Sequence, residues 1–107
     1  MKDKSKLLQD ILNAIASIES YEVASFDAFL ADEKTQDAIM YNLIIIGEAA
    51  NKISDDFQDK HPEIPWSSMI GTRNVIIHGY DQVKLQIVWD IIDKNLRPLK
   101  ENLSKLI

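Results

Sequence analysis

Apolar residues return along the chain at helical intervals, and no strand-like alternation competes with that period. Leu7, Leu8, Ile11, Leu12, Ile15 and Ile18 form one stripe, which predicts a helix running from an N-cap at Asp3 to about Tyr21. A second long helix is predicted from a cap at Asp32, carrying Ile39, Met40, Leu43, Ile44, Ile46, Ala50 and Ile53 before Ser54. Its middle is apolar almost all round, so it should be central in the fold or supply a face to another subunit. Ser54, Asp55 and Asp56 read as a fresh cap and first turn, with Phe57 anchoring a short helix that the prolines at 62 and 65 stop. Pro65 is expected to open the next helix, through Trp66, Met69, Ile70, Val75, Ile76 and Ile77 to an end near Gly79. Asp81 is then the expected N-cap of a last helix that buries Ile87, Val88, Ile91, Ile92, Leu96, Leu99 and Leu103. Pro98 falls inside that stripe and predicts a kink or break near Lys94. Trp66 and Trp89 are expected core anchors. The pattern predicts an all-α protein, one domain over residues 1–107, built as a bundle of four to five helices. Short connections make it largely antiparallel.

Composition narrows the chemistry. Although 46% of the residues are hydrophobic, apolar runs such as Leu43 to Ile46 last one helical turn, far short of a membrane span, so no membrane partner is expected. The first residues are charged and lack a secretory pattern, so a cytoplasmic protein is expected. No cysteine is present, which removes disulfides, thiolate metal sites and a cysteine nucleophile together. A net charge of −5 would repel a polyanion at long range, so any nucleic-acid site must be local. Acidic residues gather at Asp27 to Asp37 and at Asp55 to Glu63, and most of these charges are expected to be solvated helix faces. Asp55, Asp56 and Asp59 fit a helix N-terminal turn and form no metal-ligand pattern. His61, before Pro62, is expected to be solvated.

The segment Met69 to Tyr80, MIGTRNVIIHGY, sets Arg73, Asn74, His78 and Tyr80 into an apolar, glycine-flanked stretch. A purely structural role would have Arg73 on helix C-terminal carbonyls or a carboxylate, His78 at the helix end, and Tyr80 as a core-edge ring. At ~3.6 residues per turn, five positions rotate a side chain by about 140°, so Arg73 and His78 do not share a face of one straight helix. Convergence on one substrate needs either a distortion near Gly79 or a second copy across a two-fold axis. Glu48 interrupts the apolar middle of the second long helix, as a partner for Arg73 or Lys52 or as a catalytic group.

RNVIIHGY, an Arg followed after four residues by His and after one more by Tyr, resembles the signature of HEPN-domain toxins of the HepT type. IIIGEAANKIS (Ile44 to Ser54), the IPW of Ile64 to Trp66 and IVWDIIDKNLRPL near the C-terminus resemble the same family in the same order, so the likeness covers nearly the whole chain. It implies a HEPN-like helical homodimer whose motif segments meet to form an RNA-cleaving cleft, without metal or other cofactor. Arg73 and His78 match the catalytic positions, and Asn74 the polar position after the arginine. Tyr80 matches the tyrosine that a partner antitoxin, an MntA-type nucleotidyltransferase, modifies with AMP. These residue types suit RNA cleavage, because the 2′-OH is the nucleophile and the protein need only move protons and hold phosphate. A histidine near neutral pKa can be base or acid, and a forked, permanently charged guanidinium can hold two phosphate oxygens. The alternative is a non-catalytic helical subunit of a nucleotidyltransferase, in which Arg73 and His78 contact a nucleotide phosphate and Tyr80 only stacks.

Overall fold

The computed structural model describes residues 4–107, and every regular element among them is helical. α1 (Lys4–Ser20) buries Leu7, Leu8, Ile11, Ala14, Ile15 and Ile18, the predicted stripe, with Leu12 half-buried at its margin. The proposed cap Asp3 lies outside the described residues. After α1 the chain turns through Glu22, whose φ of 49° is left-handed.

A short helix, α2 (Phe26–Leu30), interrupts what the sequence presents as an acidic connection; Ser25 caps it by accepting from the Ala28 amide. Its Phe26 and Phe29 pack against Trp89, with ring centroids 6.2 and 6.0 Å apart. α3 (Glu33–Lys52) starts where expected: the Asp32 carboxylate accepts from both the amide and the hydroxyl of Thr35, which hold it below the usual carboxylate range. α3 is central, packed against α1, α2 and α5. Its one buried polar side chain, Asn42, is satisfied by the Ala38 carbonyl and the Tyr21 hydroxyl.

Ser54 caps α4 (Asp55–Lys60), and Gln58 reaches back to the Ala50 and Ile53 carbonyls at the end of α3, the first of which also accepts from the Ile53 amide. His61 is not freely solvated as expected, because its ring packs tilted against Phe57 with centroids 4.5 Å apart and its Nδ1 lies 3.4 Å from Glu63. Pro65 precedes α5 (Trp66–His78), which ends at Gly79 as predicted, and the Trp66 indole donates to the His61 carbonyl.

Asp81 does not cap the last helix. It lies in a 3₁₀ turn, Tyr80–Gln82, and α6 (Leu85–Asp90) begins after Lys84 without a side-chain cap. Ile87, placed by periodicity in the buried stripe, is exposed. The expected disturbance before Pro98 takes the form of a π-helical turn, Ile91–Asn95, joining α6 to α7 (Leu96–Ser104). Pro98 cannot donate to the Lys94 carbonyl and its ring crowds it, so the helix widens there and continues. α7 buries Leu96, Leu99 and Leu103 and lies against α1, with Lys100 3.0 Å from Glu19. The described residues thus form seven α-helical segments, more than the four to five expected, because α2 and the divided C-terminal run add to the count. No helix among them is long and apolar enough to cross a membrane.

Candidate active site

The motif helix α5 differs from α1 and α7 in having apolar residues on every side. Trp66, Met69 and Ile76 are buried, yet Val75 and Ile77 are exposed. Gly47 permits its closest approach to α3. A Cβ there would stand 2.2 Å from Arg73 Cβ and 2.7 Å from the Met69 carbonyl oxygen, so only glycine lets the two helices meet at this level.

That crossing fixes Arg73. Its Nη1 donates to Asn74 Oδ1 at 2.7 Å, its Nη2 lies 3.6 Å from Glu48 Oε1, and its buried Nε has no hydrogen-bond partner among the described residues. Of the two partners the sequence offers Glu48, the structure selects Arg73. Because Glu48 is half exposed, the pair contributes at most about 1 kcal/mol and can be exchanged for another anion at little cost. The guanidinium is therefore held in place while keeping donor capacity for a phosphate.

His78 closes α5 as its last residue, exposed, its imidazole making no hydrogen bond among the described residues. The helix is regular through His78, so no distortion near Gly79 swings it toward Arg73, and the two side chains stay about 140° apart around the axis. Tyr80 follows in the 3₁₀ turn, its ring half exposed and its hydroxyl donating to Asp37 on α3. That hydrogen bond, with partial burial and the negative charge of Asp37 and Glu33, pushes the Tyr80 phenol up to about 12. At neutral pH the phenol is a proton donor to Asp37 and no base.

Two α3 carboxylates thus hold the motif: Glu48 beside Arg73, and Asp37 three turns earlier on Tyr80. The pairing of a later α3 residue with an earlier α5 residue makes the two helices antiparallel. Asp37 and Gly47 escape a reading of the sequence because each acts only across this contact. Asp37 looks like one more member of the acidic stretch, although it shares an α3 face with Glu48. Beside α5, a groove of about 540 Å³ opens toward α6, lined by Gly71, Thr72, Val75, Val83 and the exposed Ile87. A Cβ on Gly71 would meet nothing within 4 Å. No group of three His, Asp or Glu side chains is assembled to hold a metal ion among the described residues.

The family model described as "Ribonuclease HepT-like" matches residues 11–106. The chain belongs to the HepT-like ribonuclease family. It is 41% identical over 100 residues to "Probable ribonuclease HepT" of Thermococcus cleftensis, covering 92% of this chain and 91% of that one. It is 39% identical over 92 residues to "Putative RNase MJ0127" of Methanocaldococcus jannaschii, covering 85% and 76% of the two chains. A third relative, "Putative RNase TTE0752" of Caldanaerobacter subterraneus subsp. tengcongensis, is 32% identical over 108 residues, covering 100% and 96%. No solved structure matches. The match includes the whole of α5, so Arg73, Asn74, His78 and Tyr80 all fall within the HepT-like region, as do the α3 residues that hold them.

Proposed function

We propose that this chain is the ribonuclease toxin of a toxin–antitoxin pair, active in the cytoplasm as a homodimer with Arg73 and His78 as catalytic residues. Asn74 and Glu48 support Arg73. The observation that carries this reading is a regular α5 that anchors Arg73 on one side and leaves His78 free on another. A two-fold axis beside α5 brings each copy's histidine toward the other's arginine, and the exposed Val75 and Ile87 give that contact its apolar area.

In this cleft one imidazole removes the 2′-OH proton, and the 2′ oxygen attacks the adjacent phosphorus. Arg73 balances charge on the phosphate as the bond to the 5′ oxygen breaks, and the second imidazole returns a proton to that leaving oxygen. The product is a 2′,3′-cyclic phosphate, formed without a metal ion. Neutralisation is by an MntA-type nucleotidyltransferase, which transfers AMP to Tyr80. The phenol oxygen bonds to the α-phosphorus of ATP, pyrophosphate leaves, and Asp37 stands ready for the phenol proton. The added group brings bulk and negative charge to the place an RNA phosphate must occupy.

The deciding experiment expresses the chain alone, as Arg73→Ala and as His78→Ala, and follows growth and RNA integrity with and without the nucleotidyltransferase. Cleavage should persist in EDTA and fail on a substrate with a 2′-deoxy sugar at the scissile position. Tyr80→Phe should stay toxic and gain no mass from the partner enzyme. An inert wild type would leave only the non-catalytic, nucleotide- or partner-binding reading.

A further inference from the structure

Tyr41 is 65% exposed, more than any other large apolar or aromatic side chain of the described residues, although it sits in the middle of the most central helix. Among the described residues no hydrogen bond holds its hydroxyl. At about 100° per residue, positions 37, 41, 44 and 48 of α3 fall within about 60° of one another. Tyr41 therefore stands in line between Asp37, which holds Tyr80, and Glu48, which accompanies Arg73.

On the antiparallel α5, Ile77 lies one turn beyond Arg73 and is 43% exposed. By helical position Tyr41, Ile77 and the half-buried Ile44 fall on one side of the α3–α5 contact as a short apolar strip, between the level of the Arg73–Glu48 pair and that of the Tyr80–Asp37 pair. We infer that Tyr41 is a substrate-binding residue on which an unpaired RNA base stacks while Arg73 holds a neighbouring phosphate. The inference rests on the ribonuclease reading.

Dimensions and chemistry both fit. Tyr41 is about 10 Å along α3 from the level of Glu48, a span that about three nucleotides of a strand cover at ~3.4 Å each. A phenol ring is a flat π-surface that accepts any base without reading its edge, and the adjacent guanidinium attracts the strand locally despite the acidic net charge. A strip only three side chains wide, with carboxylates at both ends, suits a single base better than a protein helix.

The test uses the His78→Ala protein and a single-stranded RNA carrying 2-aminopurine, so that binding is read without cleavage. Replacing Tyr41 by Ala in that background should weaken binding roughly tenfold and abolish the fluorescence quench of the stacked base. Tyr41→Phe and Tyr41→Trp should retain both, and the sedimentation mass should not change. In the active protein the same substitution should raise KM and leave kcat nearly as it was. Unaltered binding in Tyr41→Ala overturns the inference, as does a Phe variant as weak as Ala. A changed sedimentation mass overturns it too, because a second copy of the chain then covers this face. Failure of the wild type to cut RNA refutes the ribonuclease reading alone, since the quench is measured separately.

Discussion

α7 and α5 are both short helices, and they spend their apolar residues differently. α7 keeps Leu96, Leu99 and Leu103 inward and turns Arg97, Lys100 and Glu101 to solvent, as a helix does whose only task is to close a core. α5 buries Trp66, Met69 and Ile76 and still exposes Val75 and Ile77 around a polar motif. The difference separates two jobs. Stability comes from a one-sided stripe, whereas a helix that remains apolar on its outer side has a second surface to meet.

Substitutions can sharpen that contrast, beginning with chemistry. Arg73→Ala and His78→Ala should each lower RNA cleavage by 10²- to 10⁴-fold, on the order of one general acid–base group, while the melting temperature stays near wild type. An equally large fall in melting temperature would make the motif part of the scaffold and dissolve the distinction.

The opposite behaviour belongs to α1, where Ile15 is fully buried. Ile15→Ala should cost about 2–5 kcal/mol in denaturant unfolding while the folded fraction cleaves RNA normally. Two glycines then divide the two sides of α5. At Gly47 a methyl group would collide with Arg73 and with backbone, so Gly47→Ala should destabilise by about 1–3 kcal/mol and reduce activity further by displacing the guanidinium. At Gly71 the space is open, so Gly71→Ala should stabilise the monomer by up to about 1 kcal/mol through helix propensity. If the groove beside it is a dimer contact, the same change should weaken association, which sedimentation at several concentrations measures.

The smallest effect is spectroscopic. The neutral phenol of Tyr80 is favoured in the folded state, so its contribution to stability is present below about pH 10 and is lost as pH rises through about 12. Ultraviolet titration should find one of the three tyrosines ionising near pH 12, and Asp37→Asn should return it toward 10. Partial exposure keeps the accompanying change in unfolding free energy small.

What the chain discloses unaided is what neighbouring residues decide. The α1 stripe, the caps at Asp32 and Ser54, the halt before Pro62 and the end of α5 at Gly79 are all local, and the structure has them where the pattern puts them. α2 goes unseen because five residues are too few to display a period, and its meaning lies in a contact with Trp89 more than fifty positions away. Asp81 has the right residue type for a cap, but the 3₁₀ turn that follows Gly79 uses it first. At the site, the spacing of Arg73 and His78 correctly implies that they diverge. The roles of Asp37, Gly47 and Tyr41 depend on which helix lies alongside, and no spacing within one segment encodes that.

The antiparallel contact of α3 with α5 also limits how the chain can change in length. Eleven positions separate Asp37 from Glu48 and seven separate Arg73 from Tyr80, and both pairs of contacts hold at once. A single residue inserted in α3 between its two carboxylates would turn one of them by about 100° and carry it about 1.5 Å along the axis, freeing either the arginine or the tyrosine. The connection from 53 to 65 can lengthen without disturbing either pair. Insertions and deletions among functional variants should therefore collect in that connection and be absent from the interval 37–48, so that the two helices serve the site as a pair of matched rulers.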